Sequence, residues 1–259
     1  KPPLRTGRAD SLGGKTVAFA LSRRAPAEVP DSRYLVTSLN HRSPVGEAYR
    51  ILRTNLQFLS LDKPLRHLVV TSATPGEGKT LTSANLGVVQ AQAGRKVVLV
   101  DADLRRPALN RRFELPGYSG LTSILAGEAS LEDVLQPTHV DGLYLLASGP
   151  IPPNPAELLG TQRLADLMDQ LGELADLVIW DTPPVLNVSD ASVLAARADG
   201  TLLVVRAGRE PYSSAQRARD QLQQVGARTL GVVLDGVAAG GRSDYYHYYY
   251  YGGSRHGRR

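Results

Sequence analysis

The sequence has no cysteine, one methionine (Met168), one tryptophan (Trp180) and three phenylalanines. Without cysteine there is no disulfide framework, no thiolate-ligated zinc or iron–sulfur centre and no thiol nucleophile. No apolar run approaches the roughly 20 residues of a membrane-spanning helix. No charged-then-apolar start resembles a secretory signal. The five histidines (His41, His67, His139, His247 and His256) show no metal-ligand spacing and lie near no nucleophile motif, so they read as surface or core residues. The chain opens at Lys1 and carries its single methionine at 168, so it is expected to be a piece of a longer protein.

What is present is globular. Hydrophobic residues make up 42% and charged residues 21% of 259, a composition for one α/β domain with tails. A chain of this size buries roughly three quarters of its unfolded surface and needs no covalent staple. The net charge of +5 is uneven. Residues 1–40 hold seven Lys/Arg against three Asp/Glu, and residues 242–259 hold four Arg against Asp244. Those ends carry +4 and +3, which leaves the middle at −2. A basic body would suit nucleic acid, but only the ends are basic, so no nucleic-acid partner is expected. Basic ends fit either a tether at an anionic membrane or solvated tails.

Residues 1–40 carry Pro2, Pro3, Pro26 and Pro30 without a sustained period and read as a basic linker or juxtamembrane segment with at most one short ordered piece. From Ser43 a helix is expected, with Ser43 as N-cap, Pro44 at the first position, and Tyr49, Leu52, Leu56 and Leu59 on one face. Apolar runs at His67–Ser72, Lys96–Asp101, Leu143–Ala147, Leu177–Asp181, Thr201–Val205 and Leu230–Leu234 then alternate with helical segments. The helices are expected at about Thr80–Gln92, Gln162–Leu174, Ala191–Ala196 and Ser213–Gln224. That order predicts a parallel sheet flanked by helices on both faces. The domain is placed at 41–240. Residues 241–259 are rich in Gly, Tyr and Arg and are expected to be a disordered tail.

The strongest local signal is TSATPGEGKT at 71–80, between a strand and a helix. Its spacing is that of a P-loop, with Ala73 at the place of the usual first glycine. Thr74, Pro75, Gly76, Glu77 and Gly78 would form the loop that cradles phosphates. Lys79 would reach the β- and γ-phosphates and Thr80 would offer a hydroxyl to Mg²⁺. KVVLVDAD ends a strand with Asp101 and Asp103, and LVIWDTPP ends another with Asp181. Ligands of open α/β sheets bind beyond the carboxyl ends of strands, so these acids are expected to meet the loop there. One or two would serve Mg²⁺ and another would orient or deprotonate a hydroxyl. The bland alternative for Asp101 or Asp103 is a helix cap.

Together, SPVGEAYRILRTN, ATPGEGKT, VVLVDADLRRP, SGPIPPNPAELL, VIWDTPP and the tyrosine-rich end resemble the bacterial tyrosine kinases, P-loop kinases of capsule and exopolysaccharide export systems. The resemblance runs from about Ser43 to the C-terminus. It implies a P-loop NTPase-like fold and a protein-tyrosine kinase using ATP and Mg²⁺. It implies Asp101 as the candidate base, with Asp103 and Asp181 around the metal. It further implies that Glu47, Arg50 and Arg53 make subunit contacts in a ring-like homo-oligomer, although a solvated charged face is as good a reading of their spacing. Asp235 stands where relatives usually carry asparagine near the adenine. Tyr245, Tyr246, Tyr248, Tyr249, Tyr250 and Tyr251 would be phosphorylated in trans, and accumulated charge would loosen the ring. The partners implied are a membrane-spanning polysaccharide co-polymerase or adaptor, fused or separate, and a protein tyrosine phosphatase, with the kinase at the cytoplasmic face of the plasma membrane.

Two other readings share the P-loop. A partition or cell-division switch ATPase would carry a second lysine at the position of Thr74, and this chain does not. A nucleotide-binding scaffold of a membrane export complex would need no positioned acceptor hydroxyl.

Overall fold

The structure, a computed structural model, describes residues 17–23, 35, 43–209 and 211–238, with backbone only at 17–23. The Tyr245–Tyr251 cluster and most of the expected linker lie outside the described residues.

Continuous Val/Ile/Leu runs cannot expose either face to water, and they form the centre of one sheet. Its strands are β1 (Val17–Arg23), β2 (His67–Ser72), β3 (Val97–Asp101), β4 (Leu135–Pro137), β5 (Leu143–Leu146), β6 (Leu177–Asp181), β7 (Gly200–Arg206) and β8 (Thr229–Ala238). Their order is β1-β8-β7-β2-β6-β3-β5-β4. Every pairing is parallel except β4 with β5. Alternate side chains separate into two cores. Leu68, Val70, Leu99, Ile179 and Leu202 belong to one, and Val69, Val98, Val100, Trp180 and Leu203 to the other.

Helices α1 (Pro44–Leu59), α2 (Lys79–Ala91) and α3 (Leu109–Phe113) cover the first face. Helices α4 (Leu121–Ala126), α5 (Leu131–Val134), α6 (Pro155–Leu159), α7 (Gln162–Leu174), α8 (Asp190–Ala195) and α9 (Tyr212–Gln224) cover the second. The doubly covered parallel sheet agrees with the sequence expectation. β1 lies within the segment read as a linker and pairs with the outer side of β8. The stretch between Asp101 and Leu143 builds α3, α4, α5 and β4, each three to six residues long, for which the sequence reading had no elements.

Helix α1 begins as its sequence dictates. The Ser43 hydroxyl accepts from the Gly46 N–H at 3.0 Å, and Pro44 occupies the first turn, where its missing donor costs nothing. Tyr49, Leu52 and Leu56 are buried beneath it. Ser43→Ala should destabilise the protein by about 1 kcal/mol in urea unfolding, whereas Ser43→Asp should be nearly neutral. Equal losses for both would mean that the cap is not what fixes this end.

Candidate functional site

Strand β2 sits between β7 and β6 in the middle of the sheet, so the loop after it emerges at the carboxyl edge with strands on both sides. The turn into α2 requires left-handed backbone at Gly76 (φ 82°) and Gly78 (φ 97°), which glycine adopts without a Cβ penalty. A Cβ on Gly78 would stand 2.4 Å from an Asp235 carboxylate oxygen, so buried Asp235 of β8 packs directly on the loop. Glu77 turns inward, and its Oε2 accepts from the N–H groups of Ala73 (2.9 Å) and Thr74 (3.3 Å). Pro75 and Gly76 are exposed at the tip.

Lys79 and the three acids converge. Asp101 and Asp181 are direct neighbours across β3 and β6. Lys79 Nζ is 2.8 Å from Asp103 Oδ2 and 4.0 Å from Asp181 Oδ2. Burial opposes the lysine's charge, but Asp181 and Asp103 outweigh it and its pKa is raised. Asp181 Oδ1 accepts from the Ser83 hydroxyl at 3.1 Å. Burial pushes its pKa up, while Lys79, Thr80 and Ser83 hold it down. Asp103 divides its oxygens, taking Lys79 on one and the Arg106 N–H (3.0 Å) on the other.

Asp101 is divided more sharply. Its Oδ2 accepts from the N–H groups of Ala108 (2.9 Å) and Leu109 (2.8 Å), so it anchors the start of α3. Its Oδ1 is buried with no hydrogen-bond partner among the described residues. Burial first, then the Asp181 charge, pushes its pKa up to about 7. One oxygen thus serves the start of α3 as a cap would, and the other is left unpartnered beside Asp181.

These residues suit Mg²⁺ of a particular kind. Among the described residues no group of three or more His, Cys, Asp or Glu forms a chelating cluster. Mg²⁺ characteristically takes one or two carboxylates and fills its shell with water and phosphate. Asp103, Asp181 and the Thr80 hydroxyl form such a partial set. The buried, unpartnered Thr74 Oγ1 adds a further polar atom in the loop.

The structure also brings in residues the sequence reading missed. Arg206 and Arg209 direct Nη1 to the Gly76 carbonyl at 3.5 and 3.3 Å. Arg206 ends β7, and the strand-end rule offered a signal for it. Arg105 binds fully buried Asp190 through two hydrogen bonds of 3.0 and 3.1 Å, a pair no local pattern announces. Glu47 and Arg50 form an exposed pair on α1 at 2.8 Å, while Arg53 reaches the Val89 carbonyl of α2 at 3.0 Å. The three charges are therefore not one free face.

A family model described as an AAA domain matches residues 66–225. Tyrosine-protein kinase YwqD of Bacillus subtilis is 41% identical over 213 residues, 82% of this chain and 90% of that protein. The chain belongs to the bacterial tyrosine-protein kinase family. A putative tyrosine-protein kinase, EpsB of Ralstonia nicotianae, is 41% identical over 87% of this chain, which spans only 29% of EpsB. The solved kinase domain of Escherichia coli tyrosine kinase ETK superposes with a TM-score of 0.79 at 34% identity, over 87% of this chain and 91% of that one. The chimerical protein CapA2B2 gives 0.74 at 37% identity, over 77% and 88%. The septum site-determining protein MinD of Pyrococcus horikoshii, solved with Mg-ADP, gives 0.57 at 26% identity, over 65% and 69%. No helix among the described residues is long and apolar enough to cross a membrane.

The raised Asp101 pKa fixes a pH dependence for the ligand-free kinase. Unfolded, the carboxyl releases its proton near 3.8; folded, it keeps it to about 7. The folded state binds the extra proton in that window, so stability falls as pH rises through it and levels off above. Asp101→Asn keeps an oxygen for the Ala108 and Leu109 N–H groups and removes the titration. Its melting temperature should change less than the parent's between about pH 5 and about pH 8. An unchanged difference would show that Asp101 is not the group held protonated.

Proposed function

We propose that this kinase transfers the γ-phosphate of Mg·ATP to the tyrosines at 245–251, chiefly on a neighbouring copy within an oligomer. The division of Asp101 supports this most directly: a buried carboxylate oxygen with no partner, next to Lys79 and Asp181 at the mouth of a P-loop. A base with a pKa near the working pH combines a useful deprotonated fraction with a useful appetite for protons.

The tyrosine hydroxyl gives its proton to Asp101. Its oxygen bonds to the γ-phosphorus, the bond from that phosphorus to the β–γ bridging oxygen breaks, and ADP leaves with the electron pair. Backbone N–H groups of Thr74–Thr80 cradle the phosphates, and Lys79 balances the β- and γ-oxygens. Lys79 exchanges part of its contact with Asp103 for phosphate. Asp103, Asp181 and Thr80 would hold Mg²⁺, which would supply charge neutralisation to the phosphates. Glu77 fixes the loop from within. Asp235 shapes its adenine-side support.

Oligomer contacts are assigned to exposed Glu47 and Arg50, with Arg53 fixing the angle of α1 on α2. The chain's short share of EpsB and the chimerical make-up of the similar CapA2B2 protein favour a membrane-spanning adaptor, fused or separate. With it go a place at the cytoplasmic face of the plasma membrane, control of polysaccharide export, and a protein tyrosine phosphatase to reverse the reaction. Residues 1–40 would then carry the juxtamembrane linker as well as β1, and 241–259 would be the substrate tail.

Intact mass after incubation with Mg·ATP tests the reading. Stepwise phosphate additions are expected on the parent chain, and none on Lys79→Met or on a chain with all six tail tyrosines changed to Phe. When the last two are mixed, Lys79→Met should acquire phosphate from its partner. ATP hydrolysis without any added mass, with the membrane adaptor supplied, would favour the switch ATPase instead.

A further inference from the structure

We propose that Arg106 and Arg111, bounded by Arg105, form a phosphotyrosine-binding surface beside the acceptor side of the site. Its occupant is the tyrosine segment 245–251 of a second copy, once one of its tyrosines carries phosphate. The proposal rests on the kinase reading above.

Residues 104–113 read LRRPALNRRF, four arginines without an acid. Two catalytic-site carboxylates fasten this stretch in place: Asp103 takes the Arg106 N–H, and Asp101 takes those of Ala108 and Leu109. Arg105 is committed to Asp190. Arg111 folds back from α3 and donates Nη2 to the Pro107 carbonyl at 2.7 Å, which sets its guanidinium beside the residue that follows Arg106. Arg106 and Arg111 are exposed, and neither has an ion-pair partner among the described residues. Two exposed arginines thus flank Pro107, on a stretch whose backbone is tied to Asp101 and Asp103, with their charge unspent in any ion pair among the described residues.

The tail supplies the complement. Unmodified, residues 242–259 carry four Arg against Asp244, a net of +3 that this surface repels. Each phosphorylation adds roughly −1.5 to −2 charges and three strong acceptor oxygens, so two or three events reverse the sign. Because the tyrosines are contiguous apart from His247, a phosphate on one lies within one or two residues, about 3–7 Å of chain, of the next hydroxyl. Guanidinium–phosphate pairing then retains the tail while the next tyrosine enters. The consequence is a second phosphorylation faster than the first.

Fluorescence anisotropy with labelled peptides of sequence 241–259 tests this on the full chain with its own six tail tyrosines changed to Phe. Peptides are synthesised without phosphate or with phosphate on Tyr248 and Tyr250. The phosphorylated peptide should bind at least about tenfold more tightly, weakening with salt. Arg106→Gln with Arg111→Gln should remove most of that preference while nucleotide binding is unchanged. Arg219→Gln, on remote α9, should leave it intact. Equal binding of both peptides, or a preference that survives the double change, overturns the proposal. So does arginine-dependent binding of phosphatidylserine vesicles without any phosphopeptide preference, which would make the surface a membrane contact. Because the phosphates are synthetic, a chain that fails to phosphorylate the unmodified peptide would sink the kinase reading without deciding this one.

Discussion

Three buried carboxylates face a single buried ammonium at the carboxyl edge of the sheet, and the rest of the site follows from that imbalance. Asp103 takes the short contact with Lys79, and Asp181 a long one at 4.0 Å. Asp101 is left to be answered by backbone N–H groups on one side and by nothing on the other. Buried charge without compensation is resolved by taking up a proton, which is why Asp101 is pushed up to about 7. In the proposed mechanism the same deficit of positive charge draws a divalent cation to the edge and lets one carboxylate oxygen accept a hydroxyl proton. Proposed binding and proposed catalysis draw on one electrostatic fact.

The fold makes that imbalance tolerable. β3 and β6 carry Asp101 and Asp181 to the same level because they pair in parallel register, and flanking runs of Val, Leu and Ile bury both faces. The P-loop is held from three directions: by Glu77 within, by Asp235 of β8 beneath Gly78, and by Arg206 and Arg209 over Gly76. The arginine-bearing stretch after Asp103 is tied to Asp101 and Asp103 themselves. Any change at either therefore reaches both the proposed phosphoryl-transfer site and the surface where the product is proposed to rest.

Much of this was legible in the sequence, for identifiable reasons. His67–Ser72, Leu177–Asp181 and Gln162–Leu174 form elements with the bounds read from the chain, because their apolar runs and helical period are long and both ends are marked. The P-loop and its acids were legible because their spacing is fixed by phosphate geometry. The elements between Asp101 and Leu143 were not, since three to six residues cannot display a period and α3 owes its start to a distant carboxylate. β1 was hidden because its proline-bearing neighbourhood shows no alternation; the unpaired edge of β8 gives it a partner. Pairings such as Arg105 with Asp190, 85 residues apart, exist only in the folded chain. The spacing of Glu47, Arg50 and Arg53 suggested one face, yet Arg53 turns inward to α2.

The most direct test of the account is a single-turnover comparison of Asp101→Asn with the parent chain, following phosphate on the tail tyrosines while measuring nucleotide affinity in parallel. The account predicts nucleotide affinity within a few-fold of the parent and transfer slowed by roughly 10²–10⁴. Transfer at the parental rate with nucleotide still bound would contradict it, leaving Asp101 as the anchor of α3 and nothing more.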